Sequence, residues 1–332
     1  MGNVKLRERG YTMNLDKILA NAHSIAISGH VRPDGDCVGA CLGLFHYIKT
    51  WYPMKEVVVY LEEVSDKFSM LSKVDEIQHE VSEDKIYDVY FALDCGSSDR
   101  LGFAEQAYLR ANVQCCIDHH ISNQAQGEYV YVVPSASSTC ELIYGLIEKE
   151  RLNKEIAECL FLGMAHDTGV FQYSNTAPST MRAAADCLEL GVQGSAIIEK
   201  SFYEKTYLQN KILGKAFAES KLYFHGTCMV FGISLGDMNA LGVIPSDMEG
   251  IVSQMRNTRG VDVAVLIYGL KENEYKISLR SNETIDSSVI AQHFHGGGHK
   301  KAAGFGLIGN YEEVLSLVLH EIGTQRKEEC YD

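Results

Sequence analysis

Four short segments of the chain carry histidine and aspartate side chains of the kind that bind divalent cations. The first, at 29–36, reads Gly-His-Val-Arg-Pro-Asp-Gly-Asp, and the second is an Asp-Cys-Gly at 94–96. The third reads Asp-His-His at 118–120, and the fourth reads His-Asp-Thr-Gly at 166–169. Imidazole and carboxylate together suit manganese and, less exclusively, magnesium, iron, cobalt or zinc. The candidate metal ligands are His30, Asp34, Asp36, Asp94, His119 and Asp167.

These candidate ligands are too many for one ion. Four carboxylates packed together without cations would repel one another. Two metal ions about 3.5–4 Å apart, bridged by a carboxylate and a hydroxide, would relieve the repulsion, supply a nucleophile and offset charge on phosphate oxygens. Asp94 is the candidate bridge, because the tip of a central strand can face both ions. Taken singly, each segment also fits a helix cap or a surface histidine, whereas the four together favour a metal centre.

The elements that must position these residues alternate in type along the first half of the chain. Apolar runs predict strands at 24–28, 57–61, 88–93, 113–117 and 129–133, and periodic patterns predict helices at 37–50, 138–150 and 154–165. This alternation is typical of an α/β fold with a parallel sheet and helices on both faces. Such sheets bind ligands at the carboxyl ends of their strands, where three of the four segments fall.

The length of 332 residues suits two domains. The pattern predicts a catalytic domain over 1–190, a helical connector over 191–219 and a smaller α+β domain over 220–332. Within the smaller domain we expect a hairpin at 221–234 turning near Gly226, and a strand pair at 261–270 and 274–280. Helices are expected near 246–257, 286–294 and 311–324.

Charge and cysteine content restrict the partners. Thirty Lys and Arg residues against 44 Asp and Glu give a net charge of −14, whereas binding of long nucleic acid requires a basic surface. We therefore expect a small nucleotide rather than a long duplex. The ten cysteines form no CxxC pair, no secretion signal is present, and no apolar run approaches the ~20 residues of a membrane span. These features predict reduced thiols, a cytoplasmic location and no membrane partner.

The four segments resemble the motifs of the DHH phosphoesterase superfamily, which is named after the triplet at 118–120. SGHVRPDGDCVGACLGL is similar to the first motif, FALDCGSSDRLG to the second, CIDHH to the third and GMAHDTGVFQYSNT to the fourth. The resemblance implies one metal held by His30, Asp34 and Asp94. It implies a second metal held by Asp36, Asp94, His119 and Asp167.

The same resemblance implies the roles of the triplet. His120 would face the substrate phosphate, and Asp118 would orient the histidines of the metal site from behind. The residues implied in catalysis are thus Asp94, Asp118, His119 and His120.

Near the C-terminus, GGGHKKAAGF at 296–305 resembles the glycine-rich loop of the type 1 DHH-associated domain. Glycines let backbone N–H groups approach a phosphate or ribose, and Arg280 on the preceding strand can hold a phosphate bidentately. A flexible turn and a surface ion pair are the ordinary alternatives. The predicted substrate-binding residues are Arg280, Ser281, Gly296, Gly297, Gly298 and His299.

Within the superfamily the chain resembles the compact NrnA-type subfamily of oligoribonucleases and phosphatases of 3′-phosphoadenosine 5′-phosphate (pAp). This implies a two-Mn²⁺ enzyme, with Mg²⁺ or Co²⁺ as substitutes, acting on short RNA, dinucleotides or pAp, and it leaves a homodimer open. NrnA-type chains typically read Asp-Thr-Gly-Arg-Phe in the fourth motif, whereas Val170 stands in place of that arginine here. The nucleotide preference is therefore left open.

Two other functions fit part of the pattern. An inorganic pyrophosphatase or polyphosphatase would share the metal centre, but the pyrophosphatases of the superfamily have a different C-terminal domain without GGGH. A nucleotide-sensing module would bind without turnover, yet degenerate members would be expected to lose metal ligands, and all six positions are filled here.

Overall fold

The computed structural model of the protein describes residues 13–326, apart from residues 83, 125 and 283 and the side chain of His299. The chain divides into two compact units between Glu204 and Lys205. The segment 191–219, expected as a connector, therefore contributes to both units.

The first unit is built on a five-stranded parallel sheet. Its strands are β1 (Ser24–Ser28), β2 (Glu56–Tyr60), β3 (Val89–Leu93), β4 (Val113–Asp118) and β5 (Tyr129–Val132), in the order β2-β1-β3-β4-β5. The central strand β3 is buried at every position, as expected for a strand covered on both faces. The predicted parallel sheet is confirmed, and each predicted strand is in place to within one residue.

Helices cover both faces of this sheet. They are α1 (Leu15–Leu19), α2 (Gly35–Trp51), α3 (Glu105–Arg110), α4 (Thr139–Leu146), α5 (Lys154–Asp167), α6 (Pro178–Glu189) and α7 (Gly194–Ile198). Helices α2, α4 and α5 share one core with Ile25 and Phe91, whereas α3 packs on the opposite face with Tyr90 and Ala92. Helix α2 lies close against α5, because a Cβ atom at Gly39 would come within 2.4 Å of the Cys159 carbonyl oxygen.

The register of the sheet brings the segments with candidate metal ligands to one edge. Ser28 of β1 pairs with Ala92 of β3, and Leu93 of β3 pairs with Ile117 of β4. His30, two residues beyond β1, therefore emerges beside the residues that end or follow β3 and β4. Three of the four segments predicted to carry chemistry thus meet at the carboxyl ends of neighbouring strands.

The second unit is α+β, as predicted. A mixed sheet in the order β10-β11-β9-β8-β7-β6 has a single parallel pair, β7 with β8. The strands are β6 (Lys221–Tyr223), β7 (Cys228–Ile233), β8 (Val263–Lys271), β9 (Glu274–Ser281), β10 (Gly297–His299) and β11 (Ala302–Ile308). The helices are α8 (Tyr207–Glu219), α9 (Leu235–Leu241), α10 (Ile251–Arg256), α11 (Ser287–His293) and α12 (Tyr311–Arg326).

Two features of this unit differ from the prediction. The glycine-rich segment at 296–305, expected as a loop, instead contains the edge strand β10 and the start of β11, which pair antiparallel and were both not predicted. Both strands are rich in glycine and alanine, which have low strand propensity, so the pattern gave no strand signal there. The short helix α9 was also not predicted.

Across the described ranges, no helix combines the length and the apolar character needed to span a membrane.

Candidate metal centre and substrate-binding residues

The first cluster at the sheet edge contains His30, Asp34 and Asp94. The Nε2 atom of His30 lies 3.7 Å from Oδ2 of Asp34 and 3.5 Å from Oδ2 of Asp94. The other ring nitrogen, Nδ1, lies 2.9 Å from the carbonyl oxygen of Val31, to which it donates because a carbonyl can only accept. This bond turns Nε2 toward the carboxylates, an orientation that suits a metal ligand.

Asp34 has two roles in this cluster. Its Oδ1 atom accepts hydrogen bonds of 3.1 Å from the backbone N–H groups of Asp36 and Cys37, so it caps the start of α2. Its second oxygen remains directed to His30. The capping bond fixes the carboxylate that the first cluster uses.

The second cluster contains Asp36, His119 and Asp167. The Nε2 atom of His119 lies 3.0 Å from Oδ2 of Asp167, 3.6 Å from Oδ1 of Asp94 and 3.9 Å from Oδ2 of Asp36. Asp36 is fully buried, and its two oxygens accept hydrogen bonds of 2.7 and 3.0 Å from the backbone N–H groups of Thr139 and Cys140. The first turn of α4 therefore anchors this carboxylate.

Asp94 lies between the two clusters. Its Oδ2 atom faces His30, and its Oδ1 atom faces His119 at 3.6 Å and the ring of His120 at 3.7 Å. The side chain is 2% exposed, and the backbone has a positive φ of 53°, a conformation that aspartate adopts more readily than most residues. The two oxygens of one carboxylate thus point to two separate groups of candidate ligands.

The DHH triplet holds the ring of His120. Oδ1 of Asp118 accepts hydrogen bonds from Nδ1 of His120 at 2.7 Å and from the backbone N–H of His119 at 2.8 Å. Its Oδ2 accepts a bond of 2.6 Å from the amide of Asn123. Burial alone would raise the pKa of Asp118, but these bonds and the charge of His120 lower it. Asp118 therefore bonds the ring of His120, whereas its bond to His119 is with the backbone N–H of that residue.

Three supporting residues escaped the sequence analysis. Thr139 donates its hydroxyl to Oδ1 of Asp94 at 3.0 Å, Cys140 supplies a backbone bond to Asp36, and Asn123 bonds Asp118. Thr139 and Cys140 stand more than a hundred residues after Asp36, so no local pattern links them. The one available signal was the row of small polar residues 137–139 at the start of a predicted helix, which by itself also fits an ordinary helix cap.

The electrostatics of the edge favour bound cations. Burial, together with the charges of Asp94 and Asp167, raises the pKa of Asp36 well above its ordinary value. Burial opposes protonation of the histidines, but the carboxylates outweigh it and raise the pKa of His30 to about 12 and that of His119 to about 10. Without cations, the cluster thus compensates its negative charge with protons. The donor set of buried carboxylates and imidazoles fits divalent metal ions.

The fourth segment ends α5 and turns sharply after the candidate ligand Asp167. Gly169, Val170 and Phe171 have consecutive positive φ values of 55°, 60° and 63°. This left-handed turn is unusual for a β-branched residue and costs about 1–2 kcal/mol for each non-glycine residue. The buried hydroxyl of Thr168 accepts a bond of 2.9 Å from the N–H of Phe171 and so holds the turn in place.

His166, beside this ligand, is a structural residue. Its ring meets Phe68 and Phe202 edge-on, and Nε2 lies 3.0 Å from the Ser201 hydroxyl. A Cβ atom at Gly35 would come within 2.3 Å of the ring, so the end of α5 packs directly on the start of α2. Burial lowers the pKa of His166 to about 4, which keeps it neutral at physiological pH.

In the second unit, Arg280 and Ser281 point to opposite faces of β9. Arg280 pairs in register with Ala264 on one side and Ala302 on the other, so small residues flank it. Ser281 is 3% exposed, and its hydroxyl bonds the carbonyl oxygens of Ile285 and Lys300. The expectation that Ser281 contacts substrate is therefore corrected, because adjacent strand residues alternate between faces and this one is engaged in the core.

Of the glycines predicted to bind substrate, Gly296 directly precedes β10, and Gly297 and Gly298 lie in it. Glycine is required at 296 and 298, where a Cβ atom would come within 2.4 Å of backbone atoms of Gly304 and Ala302. Gly297 instead borders open space and pairs with Gly304. Gly297 and Gly298 are both exposed. The side chain of His299 lies outside the described part of the structure.

The cysteines contribute apolar packing. The nine in the described residues are free and buried. Burial raises the pKa of the Cys95 and Cys116 thiols to about 12, so they are poor nucleophiles at neutral pH.

Two parts of the chain match the models of known families. Residues 24–164 match the model of the DHH family, N-terminal domain, and residues 226–324 match that of the DHHA1 domain. Together the two matches cover most of the chain. The chain belongs to the DHH family. It is accordingly a hydrolytic phosphoesterase, and its DHH domain holds the histidine and aspartate clusters.

Individual relatives extend over nearly the whole chain. The bifunctional oligoribonuclease and PAP phosphatase NrnA of Bacillus subtilis strain 168 is 27% identical over 310 residues, covering 92% of this chain and 95% of the relative. The protein of the same name from Thermus thermophilus is 28% identical and covers 90% of both chains. The crystal structure of an exopolyphosphatase-related protein from Bacteroides fragilis has a TM-score of 0.85 at 25% identity, covering 94% of this chain and 96% of that one.

Proposed function

We propose that the protein is a manganese-dependent hydrolase of short nucleotides, acting on short oligoribonucleotides, dinucleotides or pAp. The observation that carries this proposal is the placement of Asp94, whose two carboxylate oxygens face two different groups of ligands. A single carboxylate shared in this way suits a pair of cations. The similarity to two enzymes named as oligoribonucleases and PAP phosphatases supports the substrate class.

The proposed ligands divide between two cation sites. One site uses His30, Asp34 and Asp94, whose ligand atoms lie within 4.8 Å of one another. The other uses Asp36, Asp94, His119 and Asp167, of which Asp36, His119 and Asp167 meet the same criterion. Bound divalent cations would neutralise charge on phosphate oxygens and lower the pKa of water at the site.

His120 is the proposed contact to the substrate phosphate. Asp118 accepts the hydrogen bond from Nδ1, so Nε2 is the nitrogen left to meet a ligand. The bond to Asp118 raises the pKa of His120, which favours the protonated ring. A protonated imidazole would hold a phosphate oxygen and could pass a proton to the departing oxygen.

The DHHA1 domain is proposed to contribute nucleotide-binding residues of its own. Arg280 is proposed to bind a phosphate, and the accessible backbone at Gly297 is proposed to approach a phosphate or ribose. Acidic residues outnumber basic ones in this chain of net charge −14. These contacts therefore fit a short ligand rather than a long duplex.

The test is an assay of the purified protein with Mn²⁺ against pApA, a short RNA and pAp. Product release from any of them is expected from the wild type. Asp94→Asn should reduce it by at least about 100-fold, because loss of even an indirect support of a metal ligand costs 10–100-fold. Asp99→Asn, at an exposed position in the 3-10 helix that follows β3, is the control. Equal activity in the two variants would refute the site.

Polyphosphate hydrolysis is the second candidate, and the similarity to the exopolyphosphatase-related protein of Bacteroides fragilis favours it. Pyrophosphate and polyphosphate therefore belong in the same assay. Phosphate release from these two substrates, without cleavage of any nucleotide, would replace the nucleotide assignment and leave the metal centre in place.

A further inference from the structure

An exposed aromatic side chain in the turn after the candidate ligand Asp167 has no assigned role. Tyr173 is 55% exposed, and it follows the ligand Asp167 by six residues. An added Cβ atom at Gly169 would come within 2.3–2.6 Å of three ring atoms of Tyr173 at once, so Gly169 covers one face of the ring. With more than half of the residue exposed, this contact leaves much of Tyr173 accessible to solvent.

Backbone hydrogen bonds hold the turn that carries this ring. The N–H of Tyr173 bonds the carbonyl oxygen of Thr168 at 2.9 Å, and its own carbonyl accepts the N–H of Thr176 at 3.0 Å. The left-handed conformation of 169–171 reverses the chain, so that the ring folds back over Gly169. Strained backbone of this kind persists where the surroundings determine it, and it concentrates at ligand sites.

Hydrogen bonds tie the turn to the metal-binding residues. The amide of Asn175 donates to the carbonyl oxygens of Asp167 and Ser137, both at 3.1 Å. The side chain of Asp167 is itself 3.0 Å from His119. Since Gly169 is two residues from Asp167, the Cα atoms of the two are at most about 7 Å apart. The ring therefore packs on a residue that lies within about 7 Å of the proposed ligand Asp167, measured between Cα atoms.

We propose that Tyr173 is a stacking platform for a nucleobase of the substrate. The inference rests on the proposed function, and it adds a base-binding position to the DHH domain. Gly169 supports the ring of a residue that is 55% exposed, an arrangement that suits the stacking of a flat base. Stacking on an aromatic ring tolerates every base, because each has a π-face. The platform would bind nucleotides without reading their sequence.

Kinetics on matched substrates test the platform. The substrates are pApA and two analogues in which a tetrahydrofuran abasic residue replaces one or the other nucleoside. Tyr173→Ala should raise KM for pApA about tenfold with little change in kcat, within the range measured for base stacking. It should leave KM unchanged for the analogue that lacks the stacked base. Tyr173→Phe should behave as the wild type, and Tyr203→Ala, at 54% exposure elsewhere in the unit, is the control.

The outcomes separate this inference from the proposed function. An unchanged KM in Tyr173→Ala, or an equal rise for all three substrates, would overturn the platform while nucleotide hydrolysis stands. Absence of turnover in the wild type would instead count against the proposed function. In that case, quenching of a dinucleotide that carries 2-aminopurine would decide the stacking, since the wild type should quench it and Tyr173→Ala should not.

Discussion

The hydroxyl of Thr139 donates a hydrogen bond of 3.0 Å to Oδ1 of Asp94, the same carboxylate oxygen that faces His119. The backbone N–H of Thr139 bonds a second carboxylate, that of Asp36. One residue at the start of α4 thus orients carboxylates from two of the four motifs.

Replacing this hydroxyl should weaken metal binding. Thr139→Val keeps the size of the side chain and the backbone bond but removes the donor to Asp94. We expect Mn²⁺ affinity to fall by about 10–100-fold, as for other groups that orient metal ligands. Isothermal titration with Mn²⁺ measures it, and Thr139→Ser should restore most of the loss. Wild-type affinity in the valine variant would show that the hydroxyl does not orient the carboxylate.

Binding of metal ions should stabilise the folded protein. Cations that bind only the folded state at 100 times their Kd add about 2.7 kcal/mol, which corresponds to a rise of about 5–10 °C in the melting temperature of a unit of this size. Differential scanning fluorimetry with Mn²⁺ and with EDTA measures the shift. Asp94→Asn should lose most of it, and a full shift in that variant would contradict the shared role of Asp94.

Metal binding should release protons. The pKa of His30 is raised to about 12 and that of His119 to about 10 in the cation-free protein, so both are protonated at neutral pH. A cation displaces the proton from each coordinating nitrogen, and metal affinity should therefore rise with pH. Titration of Mn²⁺ into a weakly buffered solution should lower its pH. No acidification would mean that these nitrogens do not coordinate.

Adjacent residues of β9 should respond differently to substitution. Arg280→Ala should raise KM for a dinucleotide about tenfold without altering Mn²⁺ affinity, because it would remove the proposed charged contact to a phosphate. Ser281→Ala should leave KM unchanged but destabilise the protein by about 1–3 kcal/mol, because buried partners lose their hydrogen bonds. Steady-state kinetics and thermal melts separate the two effects. A change in KM with Ser281→Ala would contradict its assignment to the core.

The left-handed turn after Asp167 should be open to stabilisation. Val170 has a φ of 60°, which disfavours a β-branched side chain. Val170→Asn should gain about 1 kcal/mol, since asparagine tolerates this conformation. Thermal melts measure the gain, and Val170→Ile, which keeps the β-branch, should show none. A lower melting temperature for the asparagine variant would indicate that packing of the valine outweighs its backbone strain.

The sequence predicts the part of the site that depends on local order. Apolar runs locate β1, β3 and β4, and the parallel-sheet rule then places His30, Asp94 and Asp118 at one edge. Asp167 was found through its motif rather than through a strand, because it ends α5. Adjacent strand residues alternate between faces, which separates Ser281 from Arg280.

What escaped prediction depends on tertiary register. The bond between Thr139 and Asp94 joins residues 45 positions apart, and no periodicity encodes it. The positive φ of Val170 and Phe171 is equally hidden, because neither residue type indicates a left-handed turn. Strand β10 was missed since glycine carries no strand preference, and pairing with β11 forms it.

The order of the sheet has a consequence for how durable the site is. Strand β3 lies between β1 and β4, so Asp94 has His30 on one side and His119 on the other. Neighbouring strands are about 4.8 Å apart in every sheet, whatever side chains they carry. Backbone hydrogen bonds between the strands therefore set the spacing between the two clusters. Mutation can remove a ligand, but only a slip of an entire central strand could change the distance that separates the two halves of the centre.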